Sequence, residues 1–216
     1  MMTLAKLAAV AIGVGVLGGA GFVYRAFGAF LPWHEEEDAA RLAGISAITR
    51  GSVVADIGAG TGRFSLAMAR RVGPSGRIYS TELSSVAVAA LNAAAAREGL
   101  RNLIAVKAEA LDTHLPDACC DVVFLRNVYH HVTDPATFAR SLSRAVRDDG
   151  LLVIVDFDEG ALWLHGDAPG DAPPRRAGHG VNRAAAIAEI TAAGFHLERE
   201  IADWSAPMWL LVFRAV

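Results

Sequence analysis

The sequence predicts an α/β domain in which a mostly parallel sheet of seven strands is covered by helices on both faces. Three observations carry that prediction. Short β-branched, apolar runs recur along the chain, as strands buried on both faces require. Helix-length segments with cap and stop signals separate them. The last two runs follow each other directly, and a short connection between neighbouring strands makes them antiparallel.

The elements follow in order. Glu35 to Ile48 reads as a helix, with acids in its first turn and Ala39, Leu42, Ala43 and Ile45 near one face. Strand one is Ser52 to Ile57, and a helix from Thr61 to Val72 stops at Gly73-Pro-Ser-Gly. Strand two runs from Arg77 to Thr81 and ends at Glu82. Ser84 caps an alanine-rich helix that reaches Arg97 and is closed by Gly99. Strand three is Leu103 to Lys107, and strand four is Asp121 to Leu125. Asp134-Pro135 opens a helix to Val146, with proline at its first position. Asp149-Gly150 turns into strand five, Leu151 to Phe157. A helix from Arg183 to Ala193 precedes the last strands, Phe195 to Ile201 and Met208 to Phe213. The stretch Asp158 to Gly180 has no regular pattern, and long loops in compact domains are usually functional.

Ser52 to Phe64, SVVADIGAGTGRF, is the most informative segment. Asp56 ends a buried strand. Gly58, Gly60 and Gly62 let the backbone turn sharply and leave room for a ligand beside Ala59. The next helix points its N-terminal N–H groups at that turn, a setting for an anionic group. A dinucleotide fingerprint needs a third glycine where this chain has Arg63. The D-x-G-x-G-x-G spacing instead resembles motif I of the class I S-adenosylmethionine (SAM) methyltransferases. SAM carries an α-carboxylate and an α-ammonium, so backbone N–H groups suit one and Asp56 the other. Asp121-Val-Val-Phe, Val-Tyr-His-His-Val-Thr-Asp-Pro and Asp-Asp-Gly-Leu-Leu-Val-Ile-Val-Asp-Phe are similar to the methyltransferase domain of many small-molecule enzymes. Phe124-Leu-Arg-Asn-Val is also similar to the ubiquinone and menaquinone C-methyltransferases, although Tyr129 to Val132 departs from their pattern.

The resemblance covers Glu35 to the C-terminus and implies a Rossmann-like three-layer sandwich with an antiparallel C-terminal strand. It implies SAM as cofactor, Glu82 on the ribose with Leu83 beside it, and Glu109 with Ala110 at the adenine. Asp112 is a rival to Glu109. The backbone after Leu125, at Arg126, is implied to meet the cofactor. His130 or His131 is a candidate general base, since imidazole titrates near neutral pH. The activity expected is methyl transfer to a small acceptor, apolar or membrane-associated. A non-catalytic SAM-binding protein and an NAD-dependent oxidoreductase are the alternatives.

Net charge is −3 with acids and bases interspersed, so nucleic acid is not the expected partner. Cys119 and Cys120 are neighbours and cannot close an ordinary loop; small residues at a strand start are the reading. Residues 1–33 form a separate segment. Leu7 to Tyr24 is a run of 18 residues without charge, about 27 Å as a helix. Aromatic residues from Phe22 to Trp33 sit where an interfacial belt would lie. A membrane-anchoring apolar helix is the first expectation, with a cleavable signal peptide as rival and a buried helix third. Use of SAM favours a cytoplasmic catalytic domain, whereas Lys6 leans weakly the other way and an exported protein is the alternative. Oligomeric state is left open.

Overall fold

The computed structural model describes residues 35–159, 180–205 and 207–216. The apolar segment Leu7 to Tyr24, and Trp163 to His179 of the irregular stretch, lie outside the described residues. Among the described residues no helix is long and apolar enough to cross a membrane.

The elements are α1 (Glu35–Ile45), β1 (Val53–Ile57), α2 (Arg63–Val72), β2 (Arg77–Glu82), α3 (Ser85–Arg97), β3 (Leu103–Lys107) and β4 (Cys120–Arg126). A single 3₁₀ turn follows at Tyr129–His131. Then come α4 (Pro135–Ala145), β5 (Val146–Phe157), α5 (Arg183–Ala192), β6 (Phe195–Ser205) and β7 (Met208–Ala215). Seven strands form one sheet in the order β3-β2-β1-β4-β5-β7-β6. The pairs from β3 through β5 are parallel, and β7 is antiparallel to both neighbours. The chain order reverses between β1 and β4, and a crevice at the carboxyl ends of the strands is expected there.

Side-chain alternation divides the sheet into two faces. Ala55, Ile57, Val123, Leu125, Leu152, Ile154, Trp209 and Leu211 share one core with Phe138 and Leu142 of α4 and Ile190 of α5. On the other face Phe124 meets Phe64 of α2 edge-on, with ring centroids 5.7 Å apart. Helices on both faces make the three-layer sandwich.

Local signals end the elements where their backbones allow. Ser84, Asp134 and Asn182 accept hydrogen bonds from the N–H groups of Ala87, Thr137 and Ala185 and so cap α3, α4 and α5. α4 and α5 stop one residue short of expectation, and α1 and α2 are shorter by more. α2 begins at Arg63 because Gly62, at φ 75°, is left-handed. α1 ends at Ile45, since Ala47 turns the chain at φ 52°, and Ile48 is buried beyond the helix. β5 extends back to Val146, but its regular ladder with β4 begins at Leu151, after an irregularity at residues 147–150. Cys119 and Cys120 are joined to each other in a vicinal disulfide; Cys120 is buried at the start of β4.

Candidate active site

Asp56, one residue before the end of β1, is 3% exposed and accepts a 2.5 Å hydrogen bond from Ser65 Oγ of α2. Burial pushes its carboxyl up to about 6, against the opposing pull of the Ser65 hydroxyl and the Arg126 guanidinium. A cation that arrives beside this carboxyl is therefore met by a group that gains from being charged.

The three glycines of the turn do different work. All have left-handed φ, at 66° for Gly58, 58° for Gly60 and 75° for Gly62. A Cβ on Gly58 would lie 2.6 Å from Val128 Cγ2, and one on Gly62 would lie 1.9 Å from Leu91 Cδ2. These two positions are closed by the protein's own packing. Gly60 meets nothing within 4 Å, so it is the glycine that opens to a ligand. The Ala59 N–H donates to Thr81 O at 3.0 Å, which ties the turn to the end of β2. Gly62 provides no side-chain cap for α2, leaving the helix N-terminus to a ligand anion.

Glu82, at the end of β2, folds back on the same turn. Its carboxylate accepts from Gly60 N–H at 2.5 Å and from Leu83 N–H at 3.1 Å. Leu83 is 59% exposed, a large apolar side chain left in water beside the ribose candidate. The Ala108 N–H donates to Glu82 O at 2.9 Å, so the β3 terminus is joined to the same edge. Glu109 and Ala110 follow it and are exposed. Asp112 is otherwise engaged: its carboxylate accepts from His114 N–H, Ser141 Oγ and Arg144 Nη2. The His114 backbone donor, first of these, holds that carboxyl below the usual range. Glu109 is joined to Asp112 through the backbone, its N–H donating to Asp112 O at 2.8 Å and its own carbonyl accepting from Asp112 N–H at 3.3 Å.

Arg126 ends β4, but its side chain turns to α1. Its guanidinium lies 3.1 Å from Glu35 and 3.7 Å from Asp38, and 4.2 Å from the centroid of the Phe64 ring. Burial raises the Asp38 carboxyl, with Arg126 opposing. Further along α1, Arg41 donates to Trp204 O at 3.0 Å and stacks 3.8 Å from the Trp204 ring centroid. Sequence reasoning placed Arg126 at the cofactor through its backbone and did not find its partners on α1.

The segment after Arg126 abuts the glycine turn through Val128. Asn127, with φ 55°, donates its N–H to Val155 O at 2.8 Å. His130 is 5% exposed, whereas His131 is exposed, and their ring centroids are 3.9 Å apart. The partner that sequence reasoning missed is Asp156, fully buried near the end of β5. Its Oδ1 lies 2.7 Å from His130 Nδ1, and its Oδ2 accepts from the His130 N–H at 3.1 Å. One signal was available: an acid in the otherwise apolar Leu-Leu-Val-Ile-Val-Asp-Phe strand has to find donors. The Val181 N–H donates to Phe157 O at 3.0 Å, so the chain leaves and rejoins the sheet beside His130.

Asp56, Gly58 to Gly62, Glu82 and the 126–131 segment thus meet at the carboxyl ends of β1, β2 and β4. They offer an acceptor for an ammonium, an uncapped helix end for a carboxylate and a carboxylate for hydroxyls. These groups fit SAM.

Residues 55–154 match the family described as methyltransferase domain. The ubiquinone/menaquinone biosynthesis C-methyltransferase UbiE of Pasteurella multocida is 30% identical over 125 residues, which are 54% of this chain and 44% of that protein. The chain spans about half the length of the curated relatives it matches. A solved SAM-dependent methyltransferase from Aquifex aeolicus superposes with a TM-score of 0.71 at 20% identity, covering 86% of this chain and 94% of that one. Geranyl diphosphate methyltransferase in complex with SAM gives 0.67 at 15% identity, covering 94% and 93%. At these identities the solved structures establish the fold. Fold, family match and relatives agree: over residues 55–154 the chain is similar to the class I SAM-dependent methyltransferases. SAM is the cofactor of that family.

Proposed function

We propose that this protein transfers the methyl group of SAM to a small, apolar, ring-bearing acceptor. The observation that carries the reading is the convergence of Asp56, the open Gly60 and Glu82 on one turn. When bound, SAM supplies an electrophilic methyl on a sulfonium. Asp56 accepts from its ammonium, the α2 N-terminus and turn N–H groups hold its carboxylate, and Glu82 accepts from the ribose hydroxyls. Leu83 covers one face of the adenine, and Glu109 with Ala110 recognises its amino edge. The segment from Arg126 to His131 then lies between cofactor and acceptor. Most of the acceleration comes from alignment of the two reactants, with His130 or His131 as the base where the acceptor must lose a proton.

The acceptor class is suggested by the curated relatives, whose names describe quinone biosynthesis enzymes, and by the apolar run at residues 7–24. We propose that this run anchors the chain to a membrane and brings lipid-soluble acceptors to a cytoplasmic catalytic domain. Incubation of the full chain with SAM and a short-chain hydroquinone, followed by measurement of S-adenosylhomocysteine, tests the reading. Release above the acceptor-free rate is expected, with loss in Asp56→Ala. Release that is equal with and without every apolar acceptor tried contradicts the reading.

A further inference from the structure

We infer that Cys119 and Cys120 are a reversible redox modification site, the dithiol tightening and the disulfide loosening SAM binding; this rests on the SAM reading above and adds regulation to it.

Neighbouring cysteines joined to each other close almost no chain, so their bond takes little freedom from the unfolded state. A structural staple would join distant segments. Nor does the pair stand where the chemistry is. Cys120 starts β4, whereas Asp56, Glu82 and Arg126 lie at or near the carboxyl ends of their strands. Disulfides that form in a reducing compartment without a catalytic use are usually transient sensors of redox state.

The loop from Ala108 to Cys119 connects the pair to the cofactor edge. At its start stand Glu109 and Ala110, the adenine contacts proposed above. The Glu109 N–H donates to Asp112 O at 2.8 Å. The Asp112 carboxylate accepts from Ser141 Oγ at 3.2 Å and from Arg144 Nη2 at 3.0 Å. The Thr113 N–H donates to Ser141 Oγ at 2.9 Å. At the loop's end the Ala118 N–H donates to Arg144 O at 2.7 Å, and Cys119 Sγ lies 3.5 Å from Ala145 O. Both ends of the loop are thus tied to the last turn of α4. Arg144 holds each of them, by its side chain at Asp112 and by its carbonyl at Ala118.

The contact between Cys119 Sγ and Ala145 O changes character with oxidation state. A disulfide sulfur has no proton to donate. A thiol donates across the same gap, to a carbonyl that the end of a helix leaves without an intrahelical donor. Reduction therefore adds a tie between loop and helix, and oxidation removes it. A loop already held at its far end loses less freedom when adenine orders Glu109 and Ala110, so affinity rises.

The exchange begins at Cys119, which is half-buried, whereas Cys120 is fully buried. A thiolate of an external dithiol attacks Cys119 Sγ. The bond to Cys120 breaks and its electron pair leaves on the Cys120 sulfur. The second thiolate of the reductant then displaces Cys119 from the mixed disulfide. Each cysteine takes up a proton that the dithiol has released to water, and the dithiol is oxidised to its own disulfide. An external disulfide reverses both steps.

The full chain is equilibrated with dithiothreitol or with excess glutathione disulfide and alkylated with N-ethylmaleimide, and mass spectrometry reads the free thiols at residues 119 and 120. Calorimetry with SAM is then run on each form. The reduced form is expected to bind about fivefold more tightly, with slower amide hydrogen exchange at Ala118. Cys119→Ser cannot form the bond but keeps a hydroxyl donor, and is expected to bind like the reduced form in either buffer. Cys119→Ala loses both bond and donor, and is expected to bind like the oxidised form. In Arg144→Gln the difference between the redox forms is expected to vanish. Full alkylation of both cysteines after glutathione disulfide overturns the inference. Equal SAM affinity of the two wild-type forms, a comparison that needs no variant to fold, overturns it too, as does equal affinity of Cys119→Ser and Cys119→Ala. Absence of saturable SAM binding in both wild-type forms overturns the parent reading and this inference with it.

Discussion

Asp56 shows how a single buried carboxyl can oppose stability and serve binding. It titrates at about 6 in the folded protein, against 3.8 for the ordinary group. Between those values the folded state holds a proton that the unfolded state has released. Raising the pH through this window therefore lowers stability, and the full cost of about 3 kcal/mol is reached above the folded value. Asp56→Asn keeps an acceptor for Ser65 and removes that cost. The variant is expected to unfold at higher urea than wild type at pH 8, with the gain vanishing near pH 4. SAM affinity should fall by at least tenfold in the same variant. In the wild type, affinity for SAM should weaken as the pH drops below about 6, where the carboxyl loses the charge that meets the ammonium. Calorimetry across pH 5 to 8 checks this. Gly62→Ala is a separate residue-scale test. Its Cβ would lie 1.9 Å from Leu91 Cδ2 at a backbone φ of 75°, and a loss of about 2–3 kcal/mol in denaturant unfolding is expected.

At the scale of elements, α1 is held by charge at one end. Glu35 and Asp38 are 18% and 15% exposed as side chains, and Arg126 is 12% exposed. Removal of the guanidinium leaves two carboxylates facing each other with little water. Arg126→Gln is expected to cost about 2–3 kcal/mol, somewhat less than a fully buried pair because some solvent remains. Hydrogen exchange at Ala39, Leu42 and Ala43 should accelerate in this variant before exchange in the central strands. The triple variant that also carries Glu35→Gln and Asp38→Asn should recover most of the loss. These ties also show what a sequence can disclose. The strand that carries Asp56 near its end and the one that ends in Glu82 could be read directly, because buried strands, glycine turns and caps are local signals. The β6–β7 hairpin was legible for the same reason. The partners of Arg126, and the reach of Asp156 to His130, depend on residues 91 and 26 positions apart. No local pattern encodes such separations. The early end of α1 was hidden because Ala47 gives no compositional sign of its left-handed backbone.

Across the whole molecule, one sheet edge gathers groups from β1, β2, β4 and β5, and a ligand bound there links them. Binding to the folded state alone adds RT ln(1 + [L]/Kd), about 2.7 kcal/mol at a hundredfold excess over Kd. SAM at that excess should raise the unfolding temperature by several degrees, and NAD at the same concentration should not. We propose that this edge is a SAM site. Isothermal titration of the full chain with SAM and with S-adenosylhomocysteine tests it most directly. Saturable one-to-one binding of both is expected, weakened at least tenfold by Glu82→Ala and by Asp56→Asn. Absence of saturable heat with either compound, or equal binding by wild type and both variants, would contradict it.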